Sequence, residues 1–166
     1  MIPGLILLIL LAAILTDYRR QQGLLKPRLE LFIDISPATP AHLAYQKAYD
    51  MMEYVPSRLH VRITLFAQDI ITITPYEYPQ QARLTLAAWL KNPPKQAELP
   101  RIGGPNFACL INPIKRESRR LLLPPPHLLV LTDNSEECAQ VFKSHKLPLK
   151  PQSIPNTIAE VEAKVG

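Results

Sequence analysis

Three side chains have the type and spacing for chemistry: Asp34, Ser36 two positions later, and Asp133 about a hundred residues further on. Each aspartate closes an apolar run, LELFI before Asp34 and LLVLT before Asp133. An aspartate at the end of a buried strand is held where loops converge, and two such ends on one face bring their carboxylates together. Carboxylate and hydroxyl oxygens in that arrangement suit a hard cation such as Mg²⁺, which keeps several waters. The plainer reading is that both aspartates accept hydrogen bonds from backbone amides of the turns that follow. General acid–base work by Asp34 calls for a second carboxylate close by, and Ser36 stands two residues on instead. None of His42, His60, His127 and His145 pairs in sequence with a nucleophile, and no glycine-rich phosphate loop is present. The expectation is a protein that is not an enzyme.

The elements that position these residues follow from hydrophobic patterning. Residues 28–35 form a central strand, apolar on both faces. Thr39 and Pro40 give an N-cap and a proline at the first helical position, with helical spacing up to Pro56. Residues 59–66 alternate and 70–74 are β-formers, separated by Ala67, Gln68 and Asp69, which predicts a hairpin with a short antiparallel strand. A helix is predicted over 80–91, directing Leu84, Ala87, Ala88 and Trp89 or Leu90 to the sheet; Trp89 is read as a core anchor. After Gly103 and Gly104, a helix from Asn106 should be kinked or interrupted by Pro113, with the basic residues Lys115, Arg116, Arg119 and Arg120 beyond it. Those form a solvated face or a contact with anionic headgroups. A strand over 127–132, a helix capped by Ser135 and running to about Lys146, a short strand within 147–154 and a helix over 157–164 complete the chain. The expected class is α/β: a Rossmann-like, doubly wound, mostly parallel sheet with one short antiparallel edge strand, preceded by a transmembrane helix.

Residues 1–16, MIPGLILLILLAAILT, carry no charge and predict a retained membrane anchor over 1–18 rather than a cleaved leader, because no basic residue precedes the run and no A-x-A site follows. Residues 19–27 are a linker and 28–166 one domain. Arg19, Arg20, Lys26 and Arg28 all follow the apolar run, which places the domain on the cytoplasmic side of a single-pass inner membrane protein, with periplasmic exposure as the alternative. The net charge of +5 is scattered without interleaved aromatics, so nucleic acid is not an expected partner. Eighteen prolines among 166 residues imply short, sharply bounded elements. Cys109 and Cys138 fit no metal motif and are expected as small buried residues, with a disulfide between them left open.

The pattern resembles a von Willebrand factor A domain, whose metal-ion-dependent adhesion site is written D-x-S-x-S, then a threonine, then an aspartate. Asp34, Ser36 and Asp133 match, while Ala38 stands at the second serine and Pro105, after Gly103 and Gly104, at the threonine. The separations, about seventy and then about thirty residues, are those of the family, and the resemblance covers roughly 28–146. Alanine and proline offer no side-chain oxygen, so the resemblance implies a degenerate metal site of Asp34, Ser36 and Asp133 with weak or absent Mg²⁺ binding. Thr39 and Asn106 are nearby candidates to substitute, although neither occupies the family position. The family further implies a membrane-anchored interaction module for assembling or maturing a larger complex, often beside a MoxR-type AAA+ ATPase. On that expectation Asp34→Ala abolishes partner binding. The alternatives are a permanent structural subunit of a membrane complex and a Mg²⁺-dependent adhesion-type domain.

Overall fold

The structure is a computed structural model that describes residues 8–15, 27–94, 104–119, 125–147 and 152–153. Five strands, β1 (Arg28–Asp34), β2 (His60–Phe66), β3 (Ile70–Ile73), β4 (His127–Thr132) and β5 (Gln152–Ser153), form one sheet in the order β3-β2-β1-β4-β5. β1 pairs in parallel with both β2 and β4, and β4 with β5, while β3 runs antiparallel at the edge. Among the described residues from 27 onward, the helices are α1 (Ala41–Met51), α2 (Pro79–Lys91), α3 (Ala108–Ser118) and α4 (Ser135–Ser144). The protein is therefore mixed α/β with a mostly parallel sheet.

All seven residues of β1 are buried, because helices cover both of its faces. Leu29, Leu31, Ile33 and Ile35 pack with Ala44, Tyr45 and Ala48 of α1 and with Ala82 and Leu86 of α2. Phe32 points the other way, into a cluster with Phe107, Leu110 and Ile114 around α3 and with Cys138 and Phe142 of α4. β2 lies on one side of β1 and β4 on the other, so the winding reverses at β1, the topology in which open α/β sheets bind ligands at the carboxyl ends of their strands. Asp34 ends β1 and Asp133 directly follows β4, which puts both aspartates at that switch point.

Three helical expectations need correction. Leu84 faces solvent at 64% exposure, whereas Ala82 and Leu86 are buried. Apolar residues cover most of the circumference of α2, so spacing alone could not choose the inner stripe. Pro113 neither breaks nor ends α3, which runs on to Ser118 and carries Lys115 and Arg116 in its last turn. An internal proline costs about 3 kcal/mol. Burial of Leu110, Ile111 and Ile114 on the inner face offsets it, at about 1.5–3 kcal/mol each. Ser135 is the first residue of α4 rather than its cap, and the Asn134 side chain at the cap position makes no capping bond. Glu136 and Glu137 in the first turn and Lys143 in the last complement the helix dipole instead.

The exit from α4 is a Schellman motif: Lys146 N–H donates to the Lys143 carbonyl and Leu147 N–H to that of Phe142, both at 3.0 Å. Leu147 then packs beside Phe142. Lys146 adopts φ 57° there, a left-handed conformation in which a Cβ costs about 1 kcal/mol. Lys146→Gly is accordingly expected to raise stability by up to about 1 kcal/mol, seen as a higher urea midpoint at unchanged m.

Both thiols are free: Cys138 is fully buried and Cys109 half-buried. Burial pushes them up to about 12 and about 11 respectively, so little thiolate forms at neutral pH. Residues 8–15 are helical, and Leu8, Ile9, Leu10, Leu11, Ile14 and Leu15 are all exposed. Among the described residues no helix is long and apolar enough to cross a membrane. The rest of the expected 1–18 span and the expected helix over 157–164 lie outside the described residues.

Candidate functional site

Asp34 is fully buried at the end of β1, and three donors converge on its carboxylate. Ser36 N–H donates to Oδ1 at 2.8 Å, and the hydroxyls of Thr39 and Thr132 donate to Oδ2 at 2.6 and 2.7 Å. Thr132 ends β4, so its bond spans the switch point. Thr39 does not cap α1 as its position suggested. Pro40 occupies the cap position without a side-chain bond, while the Thr39 hydroxyl turns inward to Asp34. Thr132 Oγ in turn accepts Asn134 N–H at 3.1 Å, tying the entry of α4 to the same group.

Ser36 and Asp133 are placed differently. Ser36 is 1% exposed, and its Oγ has no hydrogen-bond partner among the described residues. Asp133 is partly exposed, and its Oδ1 likewise lacks one. Burial, and then the Asp34 charge, push the Asp133 carboxyl above its ordinary value, with Lys47 of α1 opposing them. Beside it lies a shallow cleft of about 450 Å³ lined by Asp133, Asn134, Ser135, Glu136, Glu137 and Gln140.

The raised Asp133 value has a definite sign. Its proton is held more tightly in the folded chain than in the unfolded one, so stability from this group falls as pH rises from the ordinary 3.8 through the raised folded value. Asp133→Asn is expected to melt above the native chain at neutral pH, with the difference vanishing below pH 3.8; Tm measured against pH checks it.

Ala38 and Pro105, which stand where the resemblance calls for hydroxyls, receive no substitute oxygen from Thr39 or Asn106. Asn106 Nδ2 donates to the Gln68 carbonyl at 3.1 Å and its Oδ1 accepts Ala108 N–H at 3.2 Å, so it pins the 104–107 loop to the β2–β3 turn and starts α3. Gln68 Nε2 bonds the Gly104 carbonyl from the same turn. With Thr39 committed to Asp34, Ser36 Oγ and Asp133 Oδ1 are the buried side-chain oxygens here without a partner among the described residues, and with the rest of the Asp133 carboxyl they fall well short of the six of an octahedral Mg²⁺. This donor set does not fit a resident divalent ion. Among the described residues no group of three or more His, Cys, Asp or Glu is placed to hold a metal.

The opposite end of β1 holds a cluster that hydrophobic patterning missed. Arg28 and Glu30 are buried on the face that carries Phe32, although the strand reads as apolar on both sides. Glu30 stands in register with Arg62 of β2, which grips it through two bonds of 2.6 and 2.9 Å. Glu117 of α3 receives Arg28 at 3.1 Å and Arg62 at 3.4 Å. The Tyr76 hydroxyl donates to Glu30, and both guanidiniums lie over the Tyr76 ring. Burial, then the Glu30 bond, raise the Tyr76 phenol. The available signal was alternation: in RLELFID the residues Arg28, Glu30, Phe32 and Asp34 share one face. Charges inside a strand covered on both sides require partners.

No family model matches the chain, and no curated protein matches it. Among solved structures, the chain is similar to an aerotolerance-related membrane protein from Bacteroides fragilis NCTC 9343 carrying multiple mutations to serines, at 18% identity and TM-score 0.48, covering 76% of this chain and 65% of that one. It is also similar to the conserved hypothetical protein BatB from Bacteroides thetaiotaomicron, at 16% identity and TM-score 0.47, covering 76% of this chain and 64% of that one. The chain thus spans a little under two thirds of the length of each.

Proposed function

We propose that this chain is a membrane-anchored, non-catalytic protein-interaction module that supports assembly or maturation of a larger membrane complex, docking its partner on the vWA-like face at the carboxyl ends of β1 and β4. The observation that carries this proposal is Asp133. Its side chain is partly exposed and borders the shallow cleft rimmed by exposed Glu136 and Glu137, while its Oδ1 is turned away from solvent without a partner among the described residues. The part of this carboxyl that faces the cleft is open to a donor supplied from outside. Asp34 serves differently: fully buried under three donors, it meets neither a substrate nor a partner surface. Its sealed carboxylate supports a non-catalytic role. The partner is a membrane complex or, following the resemblance, a MoxR-type AAA+ ATPase.

The exposed apolar side chains over 8–15 support the anchor, and the basic residues behind it support a cytoplasmic domain on an inner membrane. The test is purification of the C-terminally tagged full chain from native membranes, beside Asp133→Ala. The native chain is expected to bring down a defined partner, and the variant, melting no lower than the native protein, at most about a tenth as much, equivalent to about 1.4 kcal/mol. Undiminished capture by Asp133→Ala would instead support a permanent structural subunit held through other surfaces.

A further inference from the structure

We infer that the hydroxyls of Thr39 and Thr132 take the place of a cation at the switch point, closing it as a metal-free clasp on Asp34. Three chain segments meet on this one buried carboxylate: the turn amide of Ser36 at 2.8 Å, the loop hydroxyl of Thr39 at 2.6 Å and the β4 hydroxyl of Thr132 at 2.7 Å. These are the lengths of strong hydrogen bonds to a charged acceptor. Both hydroxyls donate to Asp34, which sets the direction of their protons. The Thr132 oxygen is then left to accept Asn134 N–H at 3.1 Å. Asp133 lies between those two residues, so the clasp sets the backbone that presents it.

A divalent ion at Asp34 would have to share an oxygen with these donors, since Oδ2 already accepts two hydroxyls and Oδ1 the Ser36 amide. The clasp also makes the face independent of ion supply, because every group that closes it is part of the chain. Thr39 and Thr132 are positioning residues, acting on Asp133 through Asp34. None of this depends on what docks there.

The full chain in detergent micelles provides the test. Mn²⁺ binding is followed by electron paramagnetic resonance and Tm is measured in Mg²⁺ and in EDTA, for the native chain and for Thr39→Val, Thr132→Val, Thr39→Ser and Thr132→Ser. No Mn²⁺ is expected to bind at millimolar concentration, and Tm should be the same in Mg²⁺ and in EDTA. Each valine variant should lose about 5 °C or more, and each serine variant, which keeps the hydroxyl, should recover most of that. Should a valine chain fail to fold, native-like serine variants and absent Mn²⁺ binding carry the same support. Submillimolar Mn²⁺ binding that Asp34→Asn abolishes would overturn the inference. So would valine variants that melt with the native chain, or serine variants that fall as far as valine.

Discussion

Glu117→Ala is expected to destabilise the domain by about 3–5 kcal/mol, because it removes the carboxylate that Arg28 bonds at 3.1 Å and Arg62 meets at 3.4 Å in a buried cluster. Arg28 is 2% exposed, so without Glu117 its guanidinium is left buried with one fewer carboxylate. Against a typical total of about 5–15 kcal/mol, the variant should show a much lower urea midpoint and a partly unfolded population near 37 °C. The cost comes from breaking the network, not from the network's net worth. Replacing Arg28, Glu30, Arg62 and Glu117 together by apolar residues of similar volume is therefore expected to cost much less than Glu117→Ala alone. Urea midpoints of the two chains separate these effects.

The second large effect is expected from Asp34→Ala, a loss of about 3 kcal/mol or more. The alanine leaves Ser36 N–H, Thr39 Oγ and Thr132 Oγ without their acceptor, and each buried group left unmet costs about 1–3 kcal/mol before relaxation. Asp34→Asn should lose less, since the hydroxyls can reverse and accept from the amide. Denaturant midpoints of the two variants check the order. The same geometry changes what an Asp34 variant says about docking. A fully buried hub cannot touch a partner, so lost binding in Asp34→Ala would report a disturbed face. Asp133, partly exposed and off the clasp, separates docking from folding.

The sheet was legible because its strands are short apolar or alternating runs between clear breaks: β1, β2, β3 and β4 fall within the predicted spans, and the turn at Ala67–Asp69 makes β3 antiparallel. What stayed hidden has particular causes. In α2, Leu84 and Leu86 are equally apolar, and packing alone puts one outside and the other inside. In α3, Pro113 signals a break, but the buried row of Leu110, Ile111, Ile114 and Glu117 continues through it. The apolar character of β1 hid Arg28 and Glu30, whose partners lie 89 and 32 residues away in Glu117 and Arg62.

At the candidate site, Asp34, Ser36 and Asp133 were legible as a group at two strand ends, and the structure brings Asp34 to the switch point with Ser36 and Asp133 flanking it. The three differ in ways that spacing could not express, since one is sealed, one buried with a free hydroxyl, and one partly open. Thr39 reads as a helix cap from its place before Pro40, and Thr132 reads as one more β-former. Their shared acceptor emerges only when segments 98 residues apart are paired.

The most direct test of a metal-independent docking face is partner capture by the full chain from native membranes, with and without EDTA, for the native sequence and for Asp133→Ala. The native chain should retain the same partner in equal amount in both buffers, and Asp133→Ala, melting no lower than the native chain, should lose it in both. Capture that disappears in EDTA, or that survives Asp133→Ala undiminished, would contradict the account.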